Sequence, residues 1–439
     1  MFLRKLKNKL RSLALVFLIQ FSLAINSPTL TAFVLAVSAR KINSLGRLTV
    51  LCLRRSIFID DVQAMARWSG QIKYVIIERE HLRLVLYHFL TRVERETISE
   101  TNYYTSNIGQ AGKQRYYAYL NKMFPTLKKF INFEAGLAGN FGYIEQQELA
   151  RIFLEKNIPF FVLHKEGLTF AGVDQATANE YVKIYKTFKF IGSKMLFYNQ
   201  QIFQALVNLG IPGLNQDQAV VVGIPRMDNY FNSAGTDQPS NQVVLFSFYP
   251  SDKFFNFSGE AGGKKLATIK DIAYNFHLWL MRFAANNPKI KVVIKTKYAQ
   301  QYLDYVTDIF NKNFRKKINN LVITNLGDAS KLIKDSRVVL GFKSTTLLEG
   351  IIANRFIISP YFGDIIPNDA LDYFTKYPEL VKYAKTEKEL SEWILQTDRY
   401  LDYNQESKNK FLTDLIYLPD GRASLRTEQA IINTIKNNK

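Results

Sequence analysis

From Leu48 to Tyr361 short apolar runs alternate with amphipathic stretches, and that rhythm leaves few architectures open. In the first half the runs are LTVLCL (48–53), YVIIE (74–78), INFEAGL (131–137), FFVLHK (160–165), KMLFYN (194–199) and VVVGIP (220–225). In the second they are VVLFSFY (243–249), KVVIKT (291–296), NLVIT (320–324), RVVLGF (337–342) and RFIISPY (355–361). Near-continuous Val, Ile and Phe suit strands buried on both faces, and helices between such strands make them parallel. Residues 146–156 set Leu149, Ile152 and Phe153 at helical spacing, and residues 266–285 set Ile269, Ile272, Phe276, Leu280 and Phe283 on one face. The polar stretch NYFNSAGTDQPSNQ (229–242) separates the two series. The expected organisation is an extension over 1–44, an α/β domain over 45–235, a second over 240–395 and a helical tail over 396–439. Two doubly wound sheets would turn the carboxyl ends of their strands toward a common cleft, where ligand chemistry belongs.

Charge sharpens the reading of the extension. The chain carries a net charge of +20, and residues 1–59 hold ten Lys or Arg and no acid. Such a segment is drawn to a polyanion, either nucleic acid or an anionic membrane leaflet. The apolar run over 13–24 that follows favours the membrane, for nucleic acid has no use for it. That run is short for a spanning helix, and Asn26, Ser27 and Pro28 interrupt its continuation. An interfacial or hairpin anchor, a cleaved signal segment and a helix buried in the protein all remain open. A single cysteine, Cys52, excludes an internal disulfide and a cysteine-based metal cluster.

Chemistry-bearing residues gather at the ends of the apolar runs. Ser344, Thr345 and Thr346 follow the run RVVLGF and open a helix, where free N–H groups and the helix dipole attract phosphate. Lys343 can add charge, and Glu349, about a turn later, can accept from a ribose diol; a plain N-cap explains the same residues. Gly223, Pro225, Arg226 and Asp228 follow VVVGIP. Arg226 can fork onto a phosphate or pair with Asp228 to stiffen a hinge. His164, Lys165 and Glu166 close FFVLHK. An inverting group transfer needs a base for the acceptor hydroxyl, with Glu166 the first candidate, His164 the second and Asp174 the third. His164 also fits a core position, and Lys165 and Glu166 a surface pair. Lys295 and Lys297 end KVVIKT and can neutralise phosphates. Gly262-Gly263-Lys264-Lys265 reads as a loop. The four histidines are scattered and no Asp-x-Asp occurs, so no metal and no cofactor beyond a substrate nucleotide is expected.

Three of these segments carry a resemblance. Residues 328–362 (DASKLIKDSRVVLGFKSTTLLEGIIANRFIISPYF) resemble the donor-binding stretch of bacterial GT-B glycosyltransferases of capsule, lipopolysaccharide and teichoic-acid biosynthesis. VVVGIPRMDNYF (220–231) resembles their interdomain Gly-x-Pro-Arg-x-Asp hinge. Gly139-Asn140…Tyr143…Gln146…Glu148 with Pro159…His164-Lys165-Glu166-Gly167 resembles a third family segment. The resemblance covers roughly 130–365 in the family's order. It implies two Rossmann-like domains facing a cleft, donor phosphates at Ser344, Thr345 and Thr346, and a ribose at Glu349. It further implies a sugar moved from a nucleotide-sugar donor to a cell-surface glycan or lipid-linked acceptor, without metal; the basic extension would hold the protein at the cytoplasmic face of the inner membrane. One departure stands out. Polyol-phosphate polymerases of this kind carry histidine after the strand of the second domain where this chain has lysine, in VVIKTKY (292–298). A sugar-nucleotide epimerase or a polyol-phosphate transferase of the same fold, or an exported carbohydrate-binding protein, are the alternatives.

Overall fold

The structure is a computed structural model that describes residues 2–42, 45–54, 58–166, 175–232, 240–249, 259–342, 344–363, 374, 376–400 and 405–438. The chain forms two compact units. The first draws on residues 1–168, Gln175–Asp228 and Ile416–Lys439, and the second is built from Asn229–Leu415.

The first unit holds β1 (Arg40–Ile42), β2 (Leu48–Arg54), β3 (Ile72–Glu78), β4 (Ala135–Ala138), β5 (Phe160–His164), β6 (Lys194–Phe197) and β7 (Ala219–Val221). They lie in the order β1-β3-β2-β4-β5-β6-β7, parallel throughout except for the β1–β3 edge pair. The second unit holds β8 (Ser240–Phe246), β9 (Lys291–Lys295), β10 (Leu321–Thr324), β11 (Ser336–Gly341), β12 (Phe356–Pro360) and β13 (Lys382–Ala384). Their order is β10-β9-β8-β11-β12-β13, parallel throughout. Both orders are doubly wound: the chain builds outward one way from β2 or β8, then returns and builds the other way from β4 or β11. Two such Rossmann-like units in one chain make the GT-B class of fold.

Two segments differ from their sequence reading. The run 131–137 is only partly strand, because Ile131 closes the helix Gln110–Ile131 and Asn132 turns left-handed at φ 54°. Gly262-Gly263 does not form a loop but lies inside the helix Gly259–Asn286. Each glycine costs a helix about 1 kcal/mol relative to alanine. The downstream face carrying Ile269, Ala273, Phe276 and Leu280 is fully buried against β8, β9 and β11, and it holds the helix they extend. Strands β1 and β13 are three residues each, RKI and KYA, too short and polar to show a pattern.

The N-terminal segment packs on the first unit. Helices α1 (Phe2–Ala24) and α2 (Pro28–Ser38) form a hairpin whose turn is set by Ser27, which accepts from Leu30 N at 3.3 Å, with Pro28 in the first helical turn. Ile19 and Leu23 of α1 and Ala32, Val34 and Leu35 of α2 are buried. A chain of buried hydroxyls, Ser22–Thr31 at 2.6 Å and Thr31–Tyr119 at 2.6 Å, ties both helices to Gln110–Ile131. Among the described residues no helix is long and apolar enough to cross a membrane.

The chain's last helix, Ala423–Asn437, also belongs to the first unit. Asp228 accepts from the free N–H groups of Ala423 (3.1 Å) and Ser424 (2.7 Å), capping that helix. Glu428 accepts from Gln71 N at 2.8 Å and Tyr74 Oη at 2.6 Å. Beside this junction Gly223 holds φ at +88°, and a Cβ there would lie 2.9 Å from the Ile416 carbonyl oxygen. Gly223→Ala therefore meets both a left-handed backbone, which costs roughly 1–2 kcal/mol, and a backbone oxygen that has to move. Urea unfolding should show a midpoint lowered by at least that loss, whereas Gly210→Ala, where nothing lies within 4 Å of a new Cβ, should lose only the conformational part.

Candidate functional site

The exits of β8, β9 and β11 enclose a cavity of about 260 Å³ in the second unit. Doubly wound sheets open a crevice where neighbouring strands send their connections in opposite directions, here between β8 and β11. Phe246 pairs with Gly341 at the top of the two strands, so both exits leave at one level. Gly341 suits that closeness, since a Cβ would approach the Phe246 carbonyl oxygen to 3.2 Å and the neighbouring strand would have to give by a few tenths of an ångström.

Each exit contributes its own chemistry. After β11, Ser344 caps the helix Thr345–Ile352, its Oγ 3.4 Å from Thr346 N and 2.6 Å from Thr346 Oγ1. Both hydroxyls line the cavity, above the first free N–H groups of that helix. Lys295 ends β9 and Lys297 follows it. Lys295 Nζ donates to the carbonyls of Thr296 (2.9 Å) and Asn325 (3.1 Å), and burial pulls its pKa below the ordinary lysine value. After β8 comes Ser247, whose Oγ lies 2.9 Å from His277 Nε2. Tyr249, Phe248 and Tyr302 supply apolar walls. Among the described residues lining the cavity none is acidic. Two ammonium groups, a pair of hydroxyls and a helix start suit a phosphate-bearing ligand.

The structure thus brings Ser344, Thr346, Lys295 and Lys297 together. Thr345 begins the helix without lining the cavity. Glu349, one turn further on, is buried and accepts from Tyr230 Oη at 2.6 Å. Lys343 and Asp174 lie outside the described residues. Ser247, Thr296, Tyr302 and Tyr230 carry no motif in the sequence. The one available signal was position, since Ser247 and Thr296 directly follow strands.

The remaining candidates lie in the first unit. Arg226 is buried there, and its Nη1 bonds to Asp61 Oδ1 and Oδ2, each at 3.2 Å, and to Tyr198 Oη at 3.0 Å. Its sequence neighbour Asp228 is engaged with Ala423 and Ser424. Pro225 precedes both, as the first residue of the turn Pro225–Met227. Glu166 is partly exposed just past β5, 3.0 Å from Lys165 Nζ and 3.4 Å from Asn140 Nδ2. Burial alone would raise its pKa, but the Lys165 ammonium outweighs it, so the carboxyl titrates below its ordinary value and is ionised at neutral pH. His164 is fully buried among Phe141, Tyr185 and Phe197, and among the described residues neither ring nitrogen has a hydrogen-bond partner. Burial drives its pKa down to about 4, against a smaller upward pull from Glu166.

No protein-family model matches the sequence, and no curated protein matches it. Among solved structures, one of Listeria monocytogenes assigned as a UDP-N-acetylglucosamine 2-epimerase superposes with a TM-score of 0.51 at 10% identity, over 89% of this chain and 98% of that one. The UDP-GlcNAc 2-epimerase of Neisseria meningitidis, solved with UDP-GlcNAc, gives 0.45 at 12% identity over 88% and 100%. HepE of Anabaena, solved with UDP and glucose, gives 0.41 at 12% over 89% and 100%. The likeness to the Listeria protein is one of fold: α/β, with two doubly wound units in one chain.

The two deeply buried histidines generate a pH prediction. An imidazole in the unfolded chain takes its proton near pH 6.5, whereas His164 and His277 in the folded protein hold out until about 4. Between those values the unfolded state binds more protons, so stability is lost as pH falls. By pH 4 each histidine contributes a loss of up to about 3 kcal/mol. Thermal unfolding followed from pH 7 to 4.5 should show a falling midpoint. His164→Phe, which suits the surrounding rings, should flatten part of that slope; an unchanged slope would refute the assignment.

Proposed function

We propose that the protein is a glycosyltransferase that takes a sugar from a UDP-sugar donor and passes it to a cell-surface glycan or lipid-linked acceptor. The observation that carries the reading is the cavity at the β8/β11 crevice, with Ser344 and Thr346 at a helix start beside Lys295 and Lys297 and no acidic side chain among its described walls. A diphosphate leaving group develops negative charge as the glycosidic bond breaks. Fixed ammonium groups and helix N–H groups stabilise that charge where no metal does. In this reading Glu166, ionised and partly exposed, takes the proton from the acceptor hydroxyl. The choice of uridine is supported by the Listeria relative in fold, assigned to a UDP sugar.

That relative is assigned as an epimerase, which favours a second reading on the same donor site. An acceptor-free incubation separates them: an epimerase converts UDP-N-acetylglucosamine to its C2 epimer alone, and a transferase does not.

Membrane attachment belongs to the proposal as well. Helix α1 leaves Leu13, Phe17 and Phe21 exposed along one side, with Leu18 beside them; Ile25 is exposed in the turn that follows, and α2 exposes Phe33 and Val37. Isolated apolar side chains on a surface are ordinary, but a contiguous stripe marks a partner. The same helix carries Arg4, Lys5, Lys7, Lys9 and Arg11 in sequence, which suits the anionic surface of a bilayer, with the helix lying in the interface. A lipid-linked acceptor would then be met at the cytoplasmic face of the inner membrane.

Three experiments test these claims. In a thermal-shift panel of UDP, CDP, CMP, GDP and dTDP, UDP should raise the midpoint selectively. Ser344→Gly with Thr346→Val, which keeps a tolerable helix start, should weaken UDP binding roughly tenfold or more, the one hydroxyl hydrogen the pair has left to donate being worth about 1.5 kcal/mol or more on a charged phosphate; unchanged affinity removes the donor site. In flotation assays the protein should rise with vesicles containing anionic lipid and lose that association when Phe17 and Phe21 are both replaced by Ser. Retained flotation would exclude the stripe as the contact.

A further inference from the structure

Beneath the floor of the cavity lies His277, whose two ring nitrogens both have partners. Nδ1 is 2.7 Å from the carbonyl oxygen of Ala273, one turn earlier on the same helix. Nε2 is 2.9 Å from Ser247 Oγ. A carbonyl oxygen can only accept, so the ring proton sits on Nδ1. The ring is fully buried, between Phe248 at 5.3 Å and Tyr305 at 5.7 Å, which disfavours a second proton. Burial also drives its pKa down to about 4. The imidazole is therefore neutral near pH 7, and Nε2 is a bare acceptor.

That fixes the hydroxyl above it. Ser247 has one hydrogen, and Nε2 takes it. Its backbone N–H is already spent on the Lys295 carbonyl at 2.8 Å. What the Ser247 side chain presents to the cavity is lone pairs alone. The contrast with the other exit is sharp. Ser344 and Thr346 stand 2.6 Å apart, so one hydrogen joins them and the other remains to be donated. The two walls of one cavity thus have opposite hydrogen-bonding character.

We propose that Ser247, polarised by His277, is the specificity residue of this cavity and accepts a hydrogen bond from an O–H or N–H group of the bound ligand. The inference rests on the nucleotide-sugar reading and deepens it. Phosphate oxygens, which offer only lone pairs at alkaline pH, are repelled at Ser247 and satisfied at Ser344, Thr346 and the two lysines. The neutral, hydroxyl-bearing part of the ligand is thereby directed to the β8 exit, and the ligand has one orientation. His277 is a positioning residue that acts through Ser247 and touches no ligand.

The test uses the full chain, with UDP-N-acetylglucosamine and inorganic pyrophosphate as probes in titration calorimetry at pH 8.5. Ser247→Ala should weaken UDP-N-acetylglucosamine roughly five- to tenfold, the worth of one neutral hydrogen bond, and leave pyrophosphate within twofold. Ser247→Thr, which keeps the hydroxyl, should restore most of the loss. Nitrogen-15 spectra of the His277 ring at pH 7 should show a protonated Nδ1 and a bare Nε2. Equal losses for both probes, no loss for the UDP sugar, or a protonated Nε2 would each overturn the proposal. A wild-type chain that binds neither probe would instead overturn the donor site on which it stands.

Discussion

Strands β8 and β11 are neighbours in space although β9 and β10 come between them in sequence. Their parallel ladder runs through Val243–Val338, Val244–Val339 and Leu245–Leu340 to Phe246–Gly341. Everything at the candidate site follows from that pairing. It sets two chain exits at the same height with their connections diverging, and so leaves a crevice between them. Ser247 and Ser344 stand on its two walls because each is within three residues of the end of the ladder. The ladder is held by the burial of Val243, Leu245, Val338 and Leu340 against the long helix Gly259–Asn286 on one face. Gly341 matters for the same reason, since any larger residue would press on the Phe246 carbonyl.

The first unit handles its charges in a different way. Asp61, Arg226 and Tyr198 form a buried cluster, with the Asp61 carboxylate also accepting from Arg226 N at 3.1 Å. Removing one member of such a pair strands the other, at a cost of roughly 3–5 kcal/mol. Asp228 and Glu428 bind the last helix to the same unit, Asp228 through Ala423 and Ser424 and Glu428 through Gln71 and Tyr74 among others. The hinge-like motif of the sequence thus has identified bonds: Gly223 makes room for the returning chain, Arg226 meets Asp61, and Asp228 caps the helix that returns.

Much of this architecture was legible beforehand. Strands buried on both faces of a parallel sheet must be continuous apolar runs, and all eleven such runs contain strand residues in the structure. The helix start at Ser344 was legible too, because only small hydroxyl or amide side chains cap free N–H groups well. What was not legible had no local signature. RKI and KYA join sheets through backbone bonds alone. Gly262-Gly263 looks like a break but is carried along by a buried face further down the helix.

The sequence by itself determined where the eleven long apolar runs place strand, the α/β class and the division of the chain into two series of strands. Those follow from short-range rules of periodicity and capping, which need no knowledge of distant neighbours. Tertiary structure alone decided who meets whom. It put Asp61 against Arg226, 165 residues apart, and His277 under Ser247, 30 apart, and it returned the last helix to the first unit. Such pairings arise from the order of strands in a sheet, and strand order is settled by the packing of whole faces, which no local stretch of sequence encodes.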